Sequence, residues 1–262
     1  TTDSIQIKSF VNSSSYRIEN FEFSDGTLLT SDYVMSHLVT EGTSGDDTIT
    51  GTNASETIYG YAGNDTINSG SGDDIVYGGD GNDIITNSGG DDYIDGGAGD
   101  DIIKSTASTS NPTDETLVGG TGNDYFEDKD AGDETFIFNI GDGNDVIYNR
   151  GGNDTIVFES SVSKENIAFF MDSSGDLFVD YGEDAGNDII QIENQKSSSY
   201  AIESFKVTDE SGKSYLLTSD DINKLIQDMS AYAADNGISI NSAADVKENP
   251  DLMNLVANSW AA

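Results

Sequence analysis

Between Gly42 and Lys104 an apolar residue recurs every nine positions, at Ile49, Ile58, Ile67, Val76, Ile85, Ile94 and Ile103. The residues between are mostly Gly, Asp, Asn, Ser and Thr. Written in nines the chain reads GTSGDDTIT from Gly42, GTNASETIY from Gly51, GYAGNDTIN from Gly60, SGSGDDIVY from Ser69, GGDGNDIIT from Gly78, NSGGDDYID from Asn87 and GGAGDDIIK from Gly96. The sixth place is Asp or Glu in every copy and the eighth is Ile or Val. The word resumes in looser spacing after STASTSNPTDE, with Leu117, Phe126, Phe136, Ile147 and Ile156 at the eighth place. Glycines let the backbone turn at positive φ, and the β-branched or aromatic end of each word forms a short strand with one side chain inward. A three-residue strand buries one side chain and cannot hold itself together. Coils of two words must therefore stack, placing each sixth-position acid above the one eighteen residues earlier.

The flanks follow other periods. NIAFF from Asn166 and DLFVDY from Asp176 alternate as strands joined by a turn at Asp172 to Gly175. The N-terminal DSIQIKSFVNSSSYRIENFEFSDGTLLTSDYV repeats the unit Asp188 to Ile222, with Tyr16, Ile18, Glu19 and Phe21 matching Tyr200, Ile202, Glu203 and Phe205. In TSDDINKLIQDMSAYA, Ile222, Leu225, Ile226 and Met229 recur at helical spacing behind a capping pair, Thr218 and Asp221. A second helix is expected after Asn249, with Pro250 in its first turn and Leu252, Leu255, Val256 and Trp260 on its apolar face. A short helix after Thr30 carries His37. The expected segments are a partial flanking unit over 1–40, a first repeat block over 41–104, an irregular insertion over 105–118 and a second block over 119–157. A β-rich cap over 158–217 and C-terminal helices over 218–262 complete the chain.

Charge changes the picture. The 262 residues hold 49 acids against 11 Lys and Arg, a formal −38. Such a polyanion excludes nucleic-acid phosphates and anionic membrane surfaces as partners. No apolar run is long enough to span a membrane, and Cys is absent, so disulfides and thiolate sites are excluded. The first residues lack a signal peptide and an initiator Met, so a cut inside a longer protein is expected. Residues 41–157 alone hold 25 acids and 3 bases, a formal −22. Carboxylates stacked in two rows at that density need bound cations. With oxygen donors only, a flexible cage suits Ca²⁺ better than Zn²⁺ or Cu²⁺, and Mg²⁺ gives up its waters too reluctantly.

GGDGNDIIT and GGAGDDIIK resemble the G-G-x-G-x-D-x-U-x nonapeptide of the RTX, or haemolysin-type calcium-binding, proteins. The resemblance implies a mostly β chain, a calcium-bound parallel β-roll flanked by antiparallel β units with short capping helices at the C-terminus. It assigns acid ligands to Asp47, Asp65, Asp83 and Asp101 along one edge and to Asp74 and Asp92 along the other, with Asp124, Asp145 and Asp154 in the second block. Backbone carbonyls near Gly63, Gly72, Gly81, Gly90 and Gly99 complete the cages. The copies with Glu56, Glu115 and Glu134 depart from the motif and are weaker candidates. Roughly 5 to 8 calcium ions are expected.

The resemblance also implies a secreted or surface-retained protein, exported through a type I secretion apparatus, whose repeats stay open at low calcium and fold outside the cell. The flanking segments are similar to units that follow RTX blocks in large secreted proteins such as adhesins, toxins and surface-layer components, and the C-terminal segment corresponds to a secretion signal. The alternative is a calcium-dependent carbohydrate- or surface-binding module of an extracellular enzyme such as a polysaccharide epimerase, with Tyr59, Tyr77, Tyr93, Tyr125 and Tyr148 on the strand faces. No catalytic constellation is found: His37 is the single histidine, and the prolines follow Asn111 and Asn249 rather than Asp.

Overall fold

A computed structural model describes residues 20–35, 37–107, 112–183, 186–209 and 211–260. Tyr16, Ile18 and Glu19, and most of the N-terminal unit, lie outside these residues.

The repeats wind into a parallel β-solenoid whose coils alternate between two nine-stranded sheets. Strands Thr48–Thr50, Thr66–Gly70, Ile84–Asn87, Ile102–Ser105, Tyr125–Glu127 and Asn144–Tyr148 stack in one sheet. Leu38–Glu41, Glu56–Ala62, Ile75–Asp80, Tyr93–Ala98, Thr116–Thr121, Thr135–Phe138 and Thr155–Phe158 stack in the other. Pairing joins equivalent places of alternate words, as in Ile67 opposite Ile85 and Ile58 opposite Val76. The insertion lengthens a coil without interrupting the stack, because Leu117 still pairs with Ile94 and Phe126 with Ile103.

All twelve eighth-place residues are buried, from Ile49 to Ile156. One side chain per strand is enough because the two sheets face each other across a single shared file, and period-2 alternation turns the seventh and ninth places outward. Toward the C-terminal end the file thickens. Phe126 meets Phe136 edge-on at 5.5 Å, and Tyr181 packs 5.9 Å from Phe138 and 5.3 Å from Phe158.

The flanking unit continues the roll before closing it. Ile189–Ile192 and Ser204–Thr208 add one parallel strand to each sheet. The hairpin of Ala168–Met171 and Leu177–Asp180 then covers the first sheet antiparallel, turning through Gly175 at φ +100°. Ser214–Thr218 covers the second. The N-terminal hairpin pairs Phe21 with Leu29, as Phe205 pairs with Leu217 in the matching unit.

Helix α1 (Ser31–Met35) is shorter than expected, and His37 falls beyond it. The His37 ring stacks on Tyr33 at 4.1 Å, and its Nδ1 lies 2.8 Å from the Tyr33 carbonyl oxygen. A local stack on the preceding turn holds the imidazole there.

Helix α2 (Ser219–Asn236) starts at the Thr218–Asp221 capping box and stops at Gly237 in left-handed conformation, φ +63°. A five-residue helix α3 (Ala243–Lys247), which the periodicity did not signal, intervenes before α4 (Pro250–Ser259), capped by Asn249. Ile222, Leu225, Met229, Val246, Leu252, Val256 and Trp260 are buried and join the solenoid core, so the helices cap its C-terminal end. Lys247 on α3 pairs with the buried Asp180.

Candidate metal centres

Each coil reverses twice, so the turns form two edges. Sixth-place residues Asp47, Asp65, Asp83, Asp101, Asp124 and Asp145 line the first edge, and Glu56, Asp74, Asp92, Glu115, Glu134 and Asp154 the second. All are buried except Asp47, which is half-buried. Gly63, Gly72, Gly81, Gly90 and Gly99 sit in these turns at φ between +103° and +134°, where any side chain is strained.

The rows are held by a repeated hydrogen bond. On the first edge the backbone amides of Asp47, Asp65, Asp83 and Asp101 each donate to Oδ1 of the next acid, at 2.7, 2.7, 2.7 and 2.8 Å, and Asp124 donates to Asp145 at 2.9 Å. On the second edge Glu56 donates to Asp74, Asp74 to Asp92, Glu134 to Asp154 and Asp154 to Oε2 of Glu203, at 2.7 to 3.0 Å. The fifth place runs the other way. Asn82 donates its amide to Oδ1 of Asn64 and Asp100 to that of Asn82, an exposed ladder repeated through Asp91, Asp114, Asp133 and Asn153.

One oxygen per carboxylate is thereby used. The other is buried with no hydrogen-bond partner at Asp65, Asp74, Asp83, Asp101, Asp124 and Asp145. It points toward the first residue of its own word: a Cβ on Gly60, Gly78 or Gly96 would lie 2.5 Å from Oδ2 of Asp65, Asp83 or Asp101. Burial pushes the carboxyls up, to about 7 at Asp74, about 6 at Asp83 and Asp124, and about 8 at Asp101 and Asp145. A buried, orphaned, aligned carboxylate oxygen demands a proton or a cation. All-oxygen donors beside turn backbone fit a calcium ion.

The expected residues are not equivalent. Asp47 Oδ2 accepts from the Thr43 amide and hydroxyl at 2.6 and 2.8 Å. Glu56 accepts from the Thr52 amide and, at 2.8 Å, from the Thr40 hydroxyl. Asp92 and Asp154 instead take a side-chain amide from the first place of their own words: Asn87 Nδ2 donates to Asp92 Oδ2 at 2.9 Å, and Asn149 donates to Asp154 Oδ2. Glu115 and Glu134, which depart from the motif, keep orphaned oxygens as the regular words do.

Residues outside the motif complete the rows. Glu203 stands opposite Asp154, because Ser204 pairs with Thr155, and so extends the second edge into the flanking unit. Asp188 Oδ1 accepts from the amides of Gly141 and Gly143 at 3.0 and 3.2 Å at the end of the first. Each precedes a solenoid strand, a signal present in the sequence once the flanking unit is read as a further coil. Of the tyrosines, Tyr59 stacks on Tyr77 at 5.3 Å and Tyr93 meets Tyr77 at a tilt of 56° and 6.0 Å, forming an outer row on one sheet, while Tyr148 meets Tyr200.

Segments 41–76, 50–85, 77–105, 109–127 and 141–156 match the RTX calcium-binding nonapeptide repeat (4 copies). Residues 1–33 match the haemolysin-type calcium binding protein related domain. No curated protein matches the chain.

Proposed function

Because the chain belongs to the RTX calcium-binding nonapeptide family, we infer that its solenoid is a fold switched on by calcium in an exported protein. The observation that carries the reading is the set of orphaned Oδ2 oxygens in Asp65, Asp74, Asp83, Asp101, Asp124 and Asp145. These residues would hold the ions, with the turn backbone at Gly63, Gly72, Gly81, Gly90 and Gly99. Bound calcium supplies the positive charge that the rows lack. The chain does the rest: its glycines bring backbone and carboxylate close, and its single apolar file is too thin to offset so much buried charge unaided.

The biological logic is a matter of concentration. Extracellular calcium modules bind at about 10⁻⁴ to 10⁻³ M, far above cytosolic calcium, so the repeats stay extended where the chain is made and fold where it is released. An extended chain suits type I export, and ions that bind only the native state stabilise it by mass action. Among the described residues no helix is long and apolar enough to cross a membrane. The role this reading supports is one of folding and stabilisation within a large secreted or surface protein. Far-ultraviolet circular dichroism with millimolar calcium and then with chelator tests it. Loss of the β signal on chelation at neutral pH is expected, and β-structure indifferent to chelator would sink the reading.

A further inference from the structure

Where the word spacing loosens, two carboxylates outside the sixth places join two sixth-place glutamates of the second edge. Glu115, Asp128, Asp130 and Glu134 are all at most 1% exposed, and one carboxylate oxygen from each lies within 4.8 Å of the others. Asp128 and Asp130 belong to the turn EDKDAGDE, outside any sixth place.

The donors available leave this group short. Thr113 Oγ1 lies 2.5 Å from Glu115 Oε1 and 3.1 Å from Asp130 Oδ2, with a single proton to donate between them. Asn87 donates to Glu115 Oε1 at 2.8 Å, and the Gly132 amide to Asp130 Oδ1 at 2.7 Å. Asp128 Oδ2, Glu115 Oε2 and both oxygens of Glu134 remain fully buried without a partner. Lys129 lies between the two aspartates in the chain, yet its ammonium turns outward to Glu127 at 2.5 Å. None of the ion pairs among the described residues reaches the four acids.

We propose that Glu115, Asp128, Asp130 and Glu134 form a cation site of their own, built from side chains rather than turn carbonyls and selective for calcium. Opposite oxygens in a calcium shell lie about 4.6 to 5.2 Å apart, given bonds of about 2.3 to 2.6 Å, so four oxygens within 4.8 Å of one another fit a single ion. Four carboxylates around one divalent ion also form a strongly charged ligand set, the condition for tighter binding than the regular turns provide. The site stands beside the insertion, and its ion offsets half of the formal charge of the four carboxylates. It is separable from the calcium switch proposed above, since Asp128 and Asp130 hold no sixth place and the residues that carry the switch are not among its four ligands.

Native mass spectrometry of the calcium-saturated chain tests the site by counting ions. The Asp128→Asn/Asp130→Asn double variant is expected to carry one ion fewer than the parent while keeping its β signal. An unchanged count would overturn the site and show that protons hold the cluster together. Should the double variant not fold, Glu134→Gln preserves side-chain volume: loss of one ion supports the site, and an unchanged count overturns it. Asp83→Asn, on the other edge, separates the two proposals. If it abolishes all calcium binding, cluster included, an independent site is ruled out. If the cluster ion survives in a chain whose fold ignores chelator, the switch fails and the site stands.

Discussion

The two edges of the solenoid solve one problem differently. On the first, the words begin with Gly60, Gly78, Gly96 and Gly119, and Asp65, Asp83, Asp101 and Asp124 each keep an orphaned oxygen beside that glycine. On the second, Ser69, Asn87 and Asn149 stand in the first place, and the two asparagine amides occupy the oxygen that would otherwise be free. An amide group compensates a buried carboxylate permanently, whereas a glycine leaves space that only a mobile ion or proton can fill. The first edge is thus built to respond to calcium from Asp65 to Asp145, Asp47 being satisfied by Thr43. The second mixes responsive positions with others already satisfied in the chain itself.

The sharpest way to break this contrast is Asp101→Asn. The asparagine carbonyl still accepts the Asp83 amide, so only the charge and the second oxygen's chemistry change. With calcium saturating, the variant loses a buried charged partner and should be destabilised by about 3 to 5 kcal/mol. Without calcium the sign reverses, because the same substitution removes an uncompensated buried charge. Urea unfolding in calcium and in chelator measures both. Equal effects in the two conditions would mean that Asp101 is not a calcium ligand.

Acid should partly replace calcium. In the fold, burial raises Asp74, Asp83, Asp92, Asp101, Asp124 and Asp145 to between about 6 and about 8, against about 3.9 in an unfolded chain. Between those limits the folded state binds more protons than the unfolded one, so metal-free stability falls as pH rises and is lowest above about pH 8. Lowering a chelated sample from about pH 8 to about pH 5.5 should recover part of the β signal, and calcium affinity should weaken over the same window as protons compete. A metal-free chain whose circular dichroism does not change across that range contradicts the assignment.

Much of this was legible in the words themselves. The ninefold period, the buried eighth place and the two carboxylate edges follow from residue spacing, because a turn-strand unit that buries one side chain admits little besides stacking. The capping box at Thr218 and the Pro250 helix were equally plain, being local chemistry. The exposed fifth-place ladder was present as GND and GDD but does not announce its direction, which depends on how neighbouring coils are offset. Asp128 and Asp130 were hidden for another reason. Neither holds a sixth place, and only the three-dimensional stack brings them to Glu115 and Glu134. The short helix Ala243–Lys247 lacked any period long enough to detect.

Two smaller substitutions sharpen the comparison edge against edge. Gly78→Ala places a methyl group 2.5 Å from Asp83 Oδ2 and against the Gly96 carbonyl. Backbone cannot yield as a side chain does, so about 3 kcal/mol of stability should go, together with calcium response at Asp83. Asn87→Ala acts on the other edge, stripping a donor from Asp92 Oδ2 and Glu115 Oε1 at once. Its cost should be about 2 kcal/mol, because hydrogen bonds to charged groups are worth roughly 1.5 to 3. The informative quantity is the calcium midpoint of folding relative to that loss. For Gly78→Ala the midpoint should rise more than the stability change alone requires, since the ion's own space is filled. For Asn87→Ala it should rise less, because the new gap beside Asp92 resembles the glycine words of the first edge and admits an ion where the amide stood. A midpoint shift in Asn87→Ala as large as that in Gly78→Ala, at smaller loss of stability, would mean that the asparagine supports a calcium ligand rather than replacing the ion.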